Sequence, residues 1–216
     1  MAVVTVPGPG RTGEPTSLPA AYFDRLYASD PDPWRFAERW YERRKRDITL
    51  ACLPHERYAA GFEPGCSVGL LTEALAERCD TLLSTDVAAA AVSAARRRVA
   101  HLGHVRVEQR AVPGEWPEGA FDLVLVSEVG YYLGPDDLGL LAQRVVTSLT
   151  TGGVLVLCHW RHPVDDYPIV GDEVHERMRA LTGLHCVARH DEEDFLLEVL
   201  AGGPPESVAR REGLVQ

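Results

Sequence analysis

The sequence has few of the features that mark nucleic-acid-binding or membrane-spanning proteins. Its 216 residues carry 22 Lys and Arg against 32 Asp and Glu, a formal net charge of −10. Because nucleic-acid binding draws its affinity from clustered cations, an acidic chain is a poor match for a phosphate backbone. No apolar run approaches the roughly 20 residues of a membrane span. We therefore expect neither a nucleic acid nor a membrane as a partner.

The sequence also lacks the patterns of secreted and metal-binding proteins. The first 20 residues have no charged start followed by a long apolar core, as a signal peptide would. The five cysteines form no C-x-x-C pair and no regular spacing, and there is no H-E-x-x-H pattern. Free thiols are typical of a reducing compartment. These absences predict a cytoplasmic protein with no metal site.

The composition predicts one globular domain with extensions. Hydrophobic residues make up 45% and charged residues 25% of the chain, which is ordinary for a folded protein. Residues 1–18 and 201–216 are rich in Gly, Pro and charge without apolar periodicity, and we expect both ends to be flexible. Residues 19–54, rich in aromatic side chains, are expected to form a helical cap. The main domain is expected over residues 55–200.

In the main domain, apolar runs alternate with helical patterns, and this alternation predicts a doubly wound, mostly parallel sheet. F-D-L-V-L-V-S at 121–127 is nearly continuously apolar, as expected of a strand buried on both faces. The last two strands lie five residues apart and should pair as an antiparallel hairpin. The predicted strands are 58–63, 81–85, 105–109, 121–127, 154–158, 184–189 and 195–200. The predicted helices are 70–79, 88–100, 136–149 and 173–181.

The loop after the first predicted strand has the composition of a nucleotide-binding turn. It reads E-P-G-C-S-V-G at 63–69, and the next strand ends at Asp86. Glycines allow a tight turn and a close approach of a ligand to the backbone, and Asp86 can accept hydrogen bonds from ribose hydroxyls. Ser67 stands where a dinucleotide fingerprint has its second glycine. The pattern favours a nucleoside-containing cofactor; the simpler alternative is a tight turn without a ligand.

On these features the chain resembles the class I S-adenosylmethionine-dependent methyltransferases. The resemblance rests on E-x-G-x-x-x-G at 63–69, Asp86, F-D-L-V-L-V-S-E-V at 121–129 and T-x-G-G-x-L-V at 150–156. Five further motifs are similar to the nodulation-factor N-methyltransferases: D-P-D-P-W at 30–34, W-Y-E-R-R-K at 40–45, E-P-G-C-S-V-G, H-W-R-H-P at 159–163 and G-D-x-V-H at 171–175. The resemblance implies an α/β, Rossmann-like fold with a seven-stranded sheet, an antiparallel C-terminal hairpin and an N-terminal helical cap.

The resemblance also implies S-adenosyl-L-methionine as the cofactor and assigns residues to it. The glycine loop would surround its methionine and ribose parts, and residues after the second and third strands would frame its adenine. The predicted cofactor-binding residues are Trp34, Arg44, Glu63, Gly65, Cys66, Gly69, Asp86, Val87, Ala111, Val112 and Ser127. Cys66 is interpreted as a small residue tolerated in the loop and not as a nucleophile.

Methyl transfer from a sulfonium requires mainly alignment of the acceptor and exclusion of water. An amine acceptor must also be neutral to attack, so a nearby base helps to remove its proton. The predicted catalytic residues are Glu128, His159 and His162, and the predicted substrate-binding residues are Tyr131, Tyr132, Tyr167 and His175. The alternatives are that Glu128 caps the following turn, that the histidines are structural, and that the tyrosines are ordinary half-buried side chains.

The predicted function is methyl transfer to a small molecule, with an amine of a sugar or amino sugar favoured, by a monomer or homodimer. The amine sugar follows from the resemblance, because that family methylates the free amine of a sugar in a chito-oligosaccharide. An oxygen acceptor, as in natural-product O-methyltransferases, is the first alternative. An NAD(P)-binding oxidoreductase or a non-catalytic nucleotide-binding module is the second, although the chain has neither G-x-G-x-x-G nor an evident Tyr-x-x-x-Lys.

Overall fold

The computed structural model describes residues 16–203 and 207–215. Most of the N-terminal segment that was expected to be flexible, residues 1–15, therefore lies outside the described residues. The helices are α1 (Ala20–Ser29), α2 (Trp40–Ala51), α3 (Leu70–Ala76), α4 (Ala89–Arg98), α5 (Pro135–Ser148), α6 (Gly171–Thr182) and α7 (Val208–Arg211). The strands are β1 (Tyr58–Pro64), β2 (Cys79–Asp86), β3 (Val105–Gln109), β4 (Phe121–Ser127), β5 (Leu149–Trp160), β6 (His185–Asp191) and β7 (Phe195–Ala201).

The strands form one seven-stranded sheet in the order β3-β2-β1-β4-β5-β7-β6. The first five strands are parallel, whereas β7 runs antiparallel to both β5 and β6. This topology confirms the predicted Rossmann-like fold with its C-terminal hairpin. The strand order reverses between β1 and β4, which is where sheets of this kind open a crevice at the carboxyl ends of their strands.

Strand β4 shows why the sheet has two cores. Leu123 and Leu125 point to one face and pack with residues of α3, whereas Val124 and Val126 point to the other and pack with residues of α5 and α6. All four side chains are fully buried. Since successive side chains of a strand alternate between faces, only a continuously apolar strand satisfies both layers, as its sequence predicted.

Strands β2 and β5 begin before their predicted first residues, and pairing explains both. Cys79 was expected to end a helix, but it begins β2, where it is fully buried opposite Tyr58 of β1. Strand β5 extends on both sides of the predicted 154–158. Leu149 pairs with Phe121 of β4, and the end of β5 through Trp160 lies against β7.

The helical cap, residues 19–54, consists of α1 and α2 joined by turns. The Asp32 carboxylate accepts the backbone N–H groups of Phe36 and Ala37, each at 3.0 Å, and so orders the connection before α2. At the other end of the chain, α7 lies in the tail that was expected to be flexible, and Arg211 contacts the carbonyl oxygen of Pro54. None of the described helices has the length and apolar character needed to cross a membrane.

We expect Gly69→Ala to destabilise the fold by about 2–4 kcal/mol, from backbone strain and overpacking together. Gly69 has φ +79°, and a Cβ there would lie 2.9 Å from the Cα of Ala95 in α4. The matched control is Gly139→Ala in α5, where a Cβ meets nothing within 4 Å and the change should stabilise the helix by about 0.5–1 kcal/mol. Urea unfolding of both variants tests this, and equal effects would contradict it.

Candidate active site

A cavity of about 360 Å³ lies at the carboxyl ends of the parallel strands. Gly65 and Glu128 line it from the loops that follow β1 and β4, and Asp86 lines it from the end of β2. Trp34 and Lys45 line it from the helical cap. Its size is within the range of small-molecule and cofactor sites. The cavity is therefore enclosed by the strand ends on one side and by the helical cap on the other.

The glycine loop after β1 is held against β2 by its backbone. The N–H groups of Gly65 and Cys66 both donate to the carbonyl oxygen of Thr85, at 2.7 and 2.9 Å. Gly65 has φ +76°, and a Cβ there would lie 2.2 Å from Val129 Cγ2, so the turn and its close packing need glycine. The next bend is at Ser67, with φ 49°, and the Tyr27 hydroxyl donates to Ser67 Oγ at 2.6 Å.

Asp86 ends β2 as a buried carboxylate, 8% exposed, at the wall of the cavity. Its Oδ2 accepts the N–H of Ser67 and its Oδ1 accepts the N–H of Ala88, each at 2.9 Å. Burial raises the pKa of Asp86, and these backbone N–H groups oppose that rise. Each carboxylate oxygen can accept more than one hydrogen bond. The orientation of the Asp86 carboxylate is thus fixed, and its oxygens can still accept hydrogen bonds from the hydroxyl groups of a ligand.

Glu63 lies deeper in the same wall and ties the glycine loop to its neighbours. Its Oε2 accepts the hydroxyl groups of Thr72 in α3 and Ser84 in β2, at 2.6 and 2.7 Å. Burial raises the pKa of Glu63 to about 7, although both hydroxyls favour the ionised form. The side chain is 2% exposed, so it acts chiefly by fixing the loop.

Three charged residues form a cluster on the wall of the cavity; we call Glu42, Lys45 and Glu128 the charged cluster. Lys45 Nζ lies 3.0 Å from Glu42 Oε2 and 3.1 Å from Glu128 Oε1. Burial disfavours the Lys45 ammonium, but the two carboxylates outweigh burial and raise its pKa. The cluster contains two carboxylates and one ammonium, so its net charge is negative when all three groups are ionised.

Glu128 has a backbone conformation that residues other than glycine rarely adopt. Its φ is +60°, and Ser67 and Arg35 are the other non-glycine residues with positive φ in the described part of the chain. Ser67 and Glu128 both line the cavity. Strained residues of this kind concentrate at functional sites, where the surrounding contacts maintain them.

A chain of buried hydrogen bonds begins at the turn after Glu128. The N–H of Gly130 donates to His159 Nε2 at 3.1 Å, so Nε2 is unprotonated and the proton of the neutral imidazole lies on Nδ1. His159 Nδ1 then donates to His175 Nε2 at 3.1 Å, and His175 Nδ1 donates to Glu198 Oε2 at 2.9 Å. Arg179 closes the chain by donating to Glu198 Oε1 at 2.5 Å. We call this series the histidine chain.

Three tyrosines lie between the histidine chain and the cavity. Tyr131 is buried, donates its hydroxyl to Glu128, and stacks on Tyr167 with ring centroids 4.9 Å apart. The hydroxyl of Tyr132 is 3.4 Å from that of Tyr167, and Tyr132 alone of the three lines the cavity. These three tyrosines therefore form one aromatic block that supports the turn carrying Glu128.

The structure brings most of the predicted cofactor-binding residues to the cavity and separates most of the predicted acceptor residues from it. The predicted site residues that line the cavity are Trp34, Glu63, Gly65, Cys66, Asp86, Val87, Ala111, Val112, Ser127, Glu128 and Tyr132. The others are Arg44, Gly69, Tyr131, His159, His162, Tyr167 and His175.

Two of the residues outside the cavity face other parts of the surface. Arg44 makes two hydrogen bonds to the carboxylate of Glu192, at 2.6 and 2.8 Å, and joins α2 to the turn between β6 and β7. His162 is exposed and pairs with Asp194 at 2.9 Å. Their partners show that both residues connect surface elements in this structure.

Sequence reasoning did not assign Glu42, Lys45 or Tyr27 to the site. Glu42 and Lys45 lie within the W-Y-E-R-R-K motif, three residues apart on a helix, and both are buried. Their spacing places them on one helical face, but a charged helical run usually faces solvent. Only the position of Glu128, far away in sequence, identifies this face as buried.

Solved structures of known methyltransferases have the same fold. The N-methyltransferase NodS of Bradyrhizobium japonicum, in complex with S-adenosyl-L-homocysteine, matches with a TM-score of 0.73 and 25% identity over 86% of this chain and 98% of that one. A Pseudomonas syringae protein assigned to the methyltransferases matches with a TM-score of 0.68 and 45% identity over 76% of this chain and 99% of that one. The protein is thus an S-adenosylmethionine-dependent methyltransferase.

The family within this class follows from the sequence comparisons. The family model for nodulation protein S matches residues 23–165, more than half of the chain. Nodulation protein S of Rhizobium tropici is 34% identical over 135 residues, which are 62% of this chain and span 56% of that protein. The chain belongs to the nodulation protein S (NodS) family.

We expect His159→Leu to lower the free energy of unfolding by about 2–4 kcal/mol at pH 7.5, because Gly130 and His175 lose their buried partner. Burial, together with His175 and Lys45, lowers the pKa of His159 well below its usual value. The unfolded chain therefore binds this proton first as the pH falls, near pH 6.5. The stability contributed by neutral His159 is full above that pH and is lost below it.

The free energies of unfolding of the wild-type protein and His159→Leu, measured in urea, should therefore differ less at pH 5 than at pH 7.5. His162→Leu is the control, because that imidazole is exposed and its loss should change stability little. If His159→Leu lowers the free energy of unfolding by the same amount at every pH in this range, His159 is not a buried neutral imidazole.

Proposed function

We propose that the protein transfers the methyl group of S-adenosylmethionine to the amine of a small acceptor, a sugar or amino sugar. The observation that carries this proposal is the charged cluster. The cavity wall that includes this cluster carries five acidic side chains against Lys45, Arg46 and Arg110, and this acidic excess attracts a protonated amine. A neutral hydroxyl acceptor gains no comparable attraction. A relative from Bradyrhizobium japonicum is an N-methyltransferase by name, which supports the same acceptor atom.

The cofactor side of the cavity suits an adenosine group. Asp86 presents oxygens with free accepting capacity to the two ribose hydroxyls. Val87, Ala111 and Val112 line the cavity beside it, and their apolar surfaces suit a flat purine ring. Gly65 and Cys66 continue the wall towards Glu63 and would hold the methionine part along the backbone of the loop. S-adenosylmethionine supplies a methyl group bonded to a positively charged sulfur. The sulfur is the leaving group and keeps the electron pair of the broken carbon–sulfur bond.

The acceptor side is formed by the helical cap and the turn after β4. Trp34, Phe36 and Phe23 line the cavity with aromatic rings. Trp34, which the sequence assigned to the cofactor, is placed on the acceptor side in this proposal and packs edge-on against Tyr27 with centroids 5.7 Å apart. These rings exclude water and offer flat apolar surfaces on which a sugar ring can lie. Glu128 adds negative charge at this end and is held by Lys45, Tyr131 and the N–H of Trp160.

We expect Asp86→Asn to raise the dissociation constant of S-adenosyl-L-homocysteine about 10- to 100-fold. Hydrogen bonds to a charged group contribute about 1.5–3 kcal/mol, and the amide keeps the size of the side chain but loses half of its accepting capacity. Isothermal titration of the folded variant measures the effect, with NAD as the ligand control. Asp80→Asn in the same strand, an exposed residue paired with Arg57, should bind as the wild type does. Unchanged affinity in Asp86→Asn would remove Asp86 from the cofactor site.

The acceptor is tested with glucosamine and N-acetylglucosamine as a matched pair. The two sugars share their hydroxyl groups, and acetylation removes only the basic amine. We expect methylation of glucosamine alone, detected by mass spectrometry as an N-methyl product. Methylation of both sugars would instead indicate an oxygen acceptor and would contradict the proposed amine.

A further inference from the structure

The carboxylate of Glu128 is already occupied by three donors. Its Oε1 accepts Lys45 Nζ and the backbone N–H of Trp160, both at 3.1 Å, and its Oε2 accepts the hydroxyl of Tyr131. With three donors and a positive φ, Glu128 holds α2, the turn after β4 and the end of β5 in place. Both of its oxygens already have donors, so Glu128 offers a ligand little free accepting capacity.

Glu42 offers the opposite combination. It lines the same cavity from α2 and is 7% exposed. Within the described residues, Lys45 at 3.0 Å is its one ion-pair or hydrogen-bond partner, through Oε2. The other oxygen therefore keeps its accepting capacity. Of the two carboxylates in the charged cluster, Glu42 is the one with an oxygen that has no partner among the described residues, so it has the larger free accepting capacity.

We propose that Glu42 is the catalytic base that receives the proton of the acceptor's ammonium group, with Lys45 as the positioning residue that holds it. This role rests on the proposed amine acceptor. The N–H bond of the ammonium breaks, its electron pair remains on nitrogen, and the proton forms an O–H bond on Glu42. The neutral amine then uses that pair to bond the methyl carbon. Glu42 afterwards releases the proton to water, which restores the carboxylate.

The charge balance of the cluster favours this exchange. Before the transfer, two carboxylates share one ammonium. After it, Lys45 and Glu128 remain as an equal pair, so protonation of Glu42 leaves no unpaired buried charge. The reverse assignment would protonate Glu128 and require Tyr131, Trp160 and Lys45 to donate to a neutral carboxyl group. Buried charges are stable only when they are paired, and Lys45 keeps Glu128 as its partner at 3.1 Å when Glu42 is protonated.

The electrostatic surroundings of Glu42 support the role. The titratable and charged groups that face it are Tyr41, Lys45 and Arg46 on its own helix and Glu128 at the end of β4. Burial raises the pKa of Glu42, Lys45 opposes the rise, and the neighbouring Glu128 adds to it. A carboxyl whose pKa lies above its usual range is a stronger base, and general bases work best when their pKa approaches the operating pH.

The test is Glu42→Gln with glucosamine as the acceptor. Glutamine keeps the size of the side chain, and its amide oxygen can still accept from Lys45, whose charge remains paired with Glu128. We expect kcat/KM at pH 7 to fall about 100-fold, the usual contribution of a general base. The difference in kcat/KM between the wild type and Glu42→Gln should shrink as the pH rises above the pKa of the glucosamine amine, because the amine is then neutral without the help of a base. Affinity for S-adenosyl-L-homocysteine should stay unchanged.

Glu38→Gln is the matched control, since Glu38 is an exposed carboxylate of the helical cap that pairs with Arg35. It should behave as the wild type at every pH. Wild-type activity of Glu42→Gln at pH 7 would overturn the role of Glu42 and leave the amine acceptor intact. A loss that is equal at all pH values would also overturn it, because only geometry would then have changed. A wild-type enzyme that does not methylate glucosamine would overturn the proposed acceptor, and the role of Glu42 with it.

Discussion

The buried ion pair between Lys45 and Glu128 joins the helical cap to the central strand of the sheet. Lys45 is 5% exposed, and removing an ammonium from water costs several kcal/mol unless opposite charges compensate it. Its two carboxylates come from different elements, one from α2 and one from the end of β4. The position of α2 over the cavity therefore depends on this contact, and so does the shape of the turn that follows β4.

That turn is held from both sides by contacts of different kinds. On the cavity side, ionic contacts hold Glu128 at a positive φ. On the far side, His159 accepts the N–H of Gly130, and a Cβ on Gly130 would lie 2.4 Å from Val174 of α6. The histidine chain meets the turn with the uncharged imidazole of His159, whose pKa burial lowers well below its usual value, whereas the charged cluster meets it with the Lys45–Glu128 ion pair. The strained backbone at Glu128 is thus maintained by the Lys45 ion pair on the cavity side. On the side of α6, it is maintained by packing and by the hydrogen bond from Gly130 to His159.

How far the sequence predicts the structure depends on how local each feature is. The strand at 121–127 and the C-terminal hairpin follow from hydrophobic patterns within a few residues, and the turn at Gly65 and the position of Asp86 follow from motif spacing. Arg44 and Lys45 show the limit of such reasoning. They are adjacent on one helix, yet Arg44 pairs with Glu192 on the surface and Lys45 with Glu128 in the interior. Only tertiary contacts distinguish them, because the run of charges looks uniformly solvent-exposed.

The two sides of the cavity are built from different parts of the chain, and this has a consequence for specificity. On the side proposed for the cofactor, the lining comes largely from backbone turns and short side chains at the ends of β1, β2 and β3. On the side proposed for the acceptor, it comes from long side chains of the helical cap such as Trp34, Phe36 and Glu42. A substitution in the cap can alter the acceptor pocket and leave the turns that surround the cofactor unchanged. Differences in acceptor between related methyltransferases should therefore concentrate in this N-terminal segment.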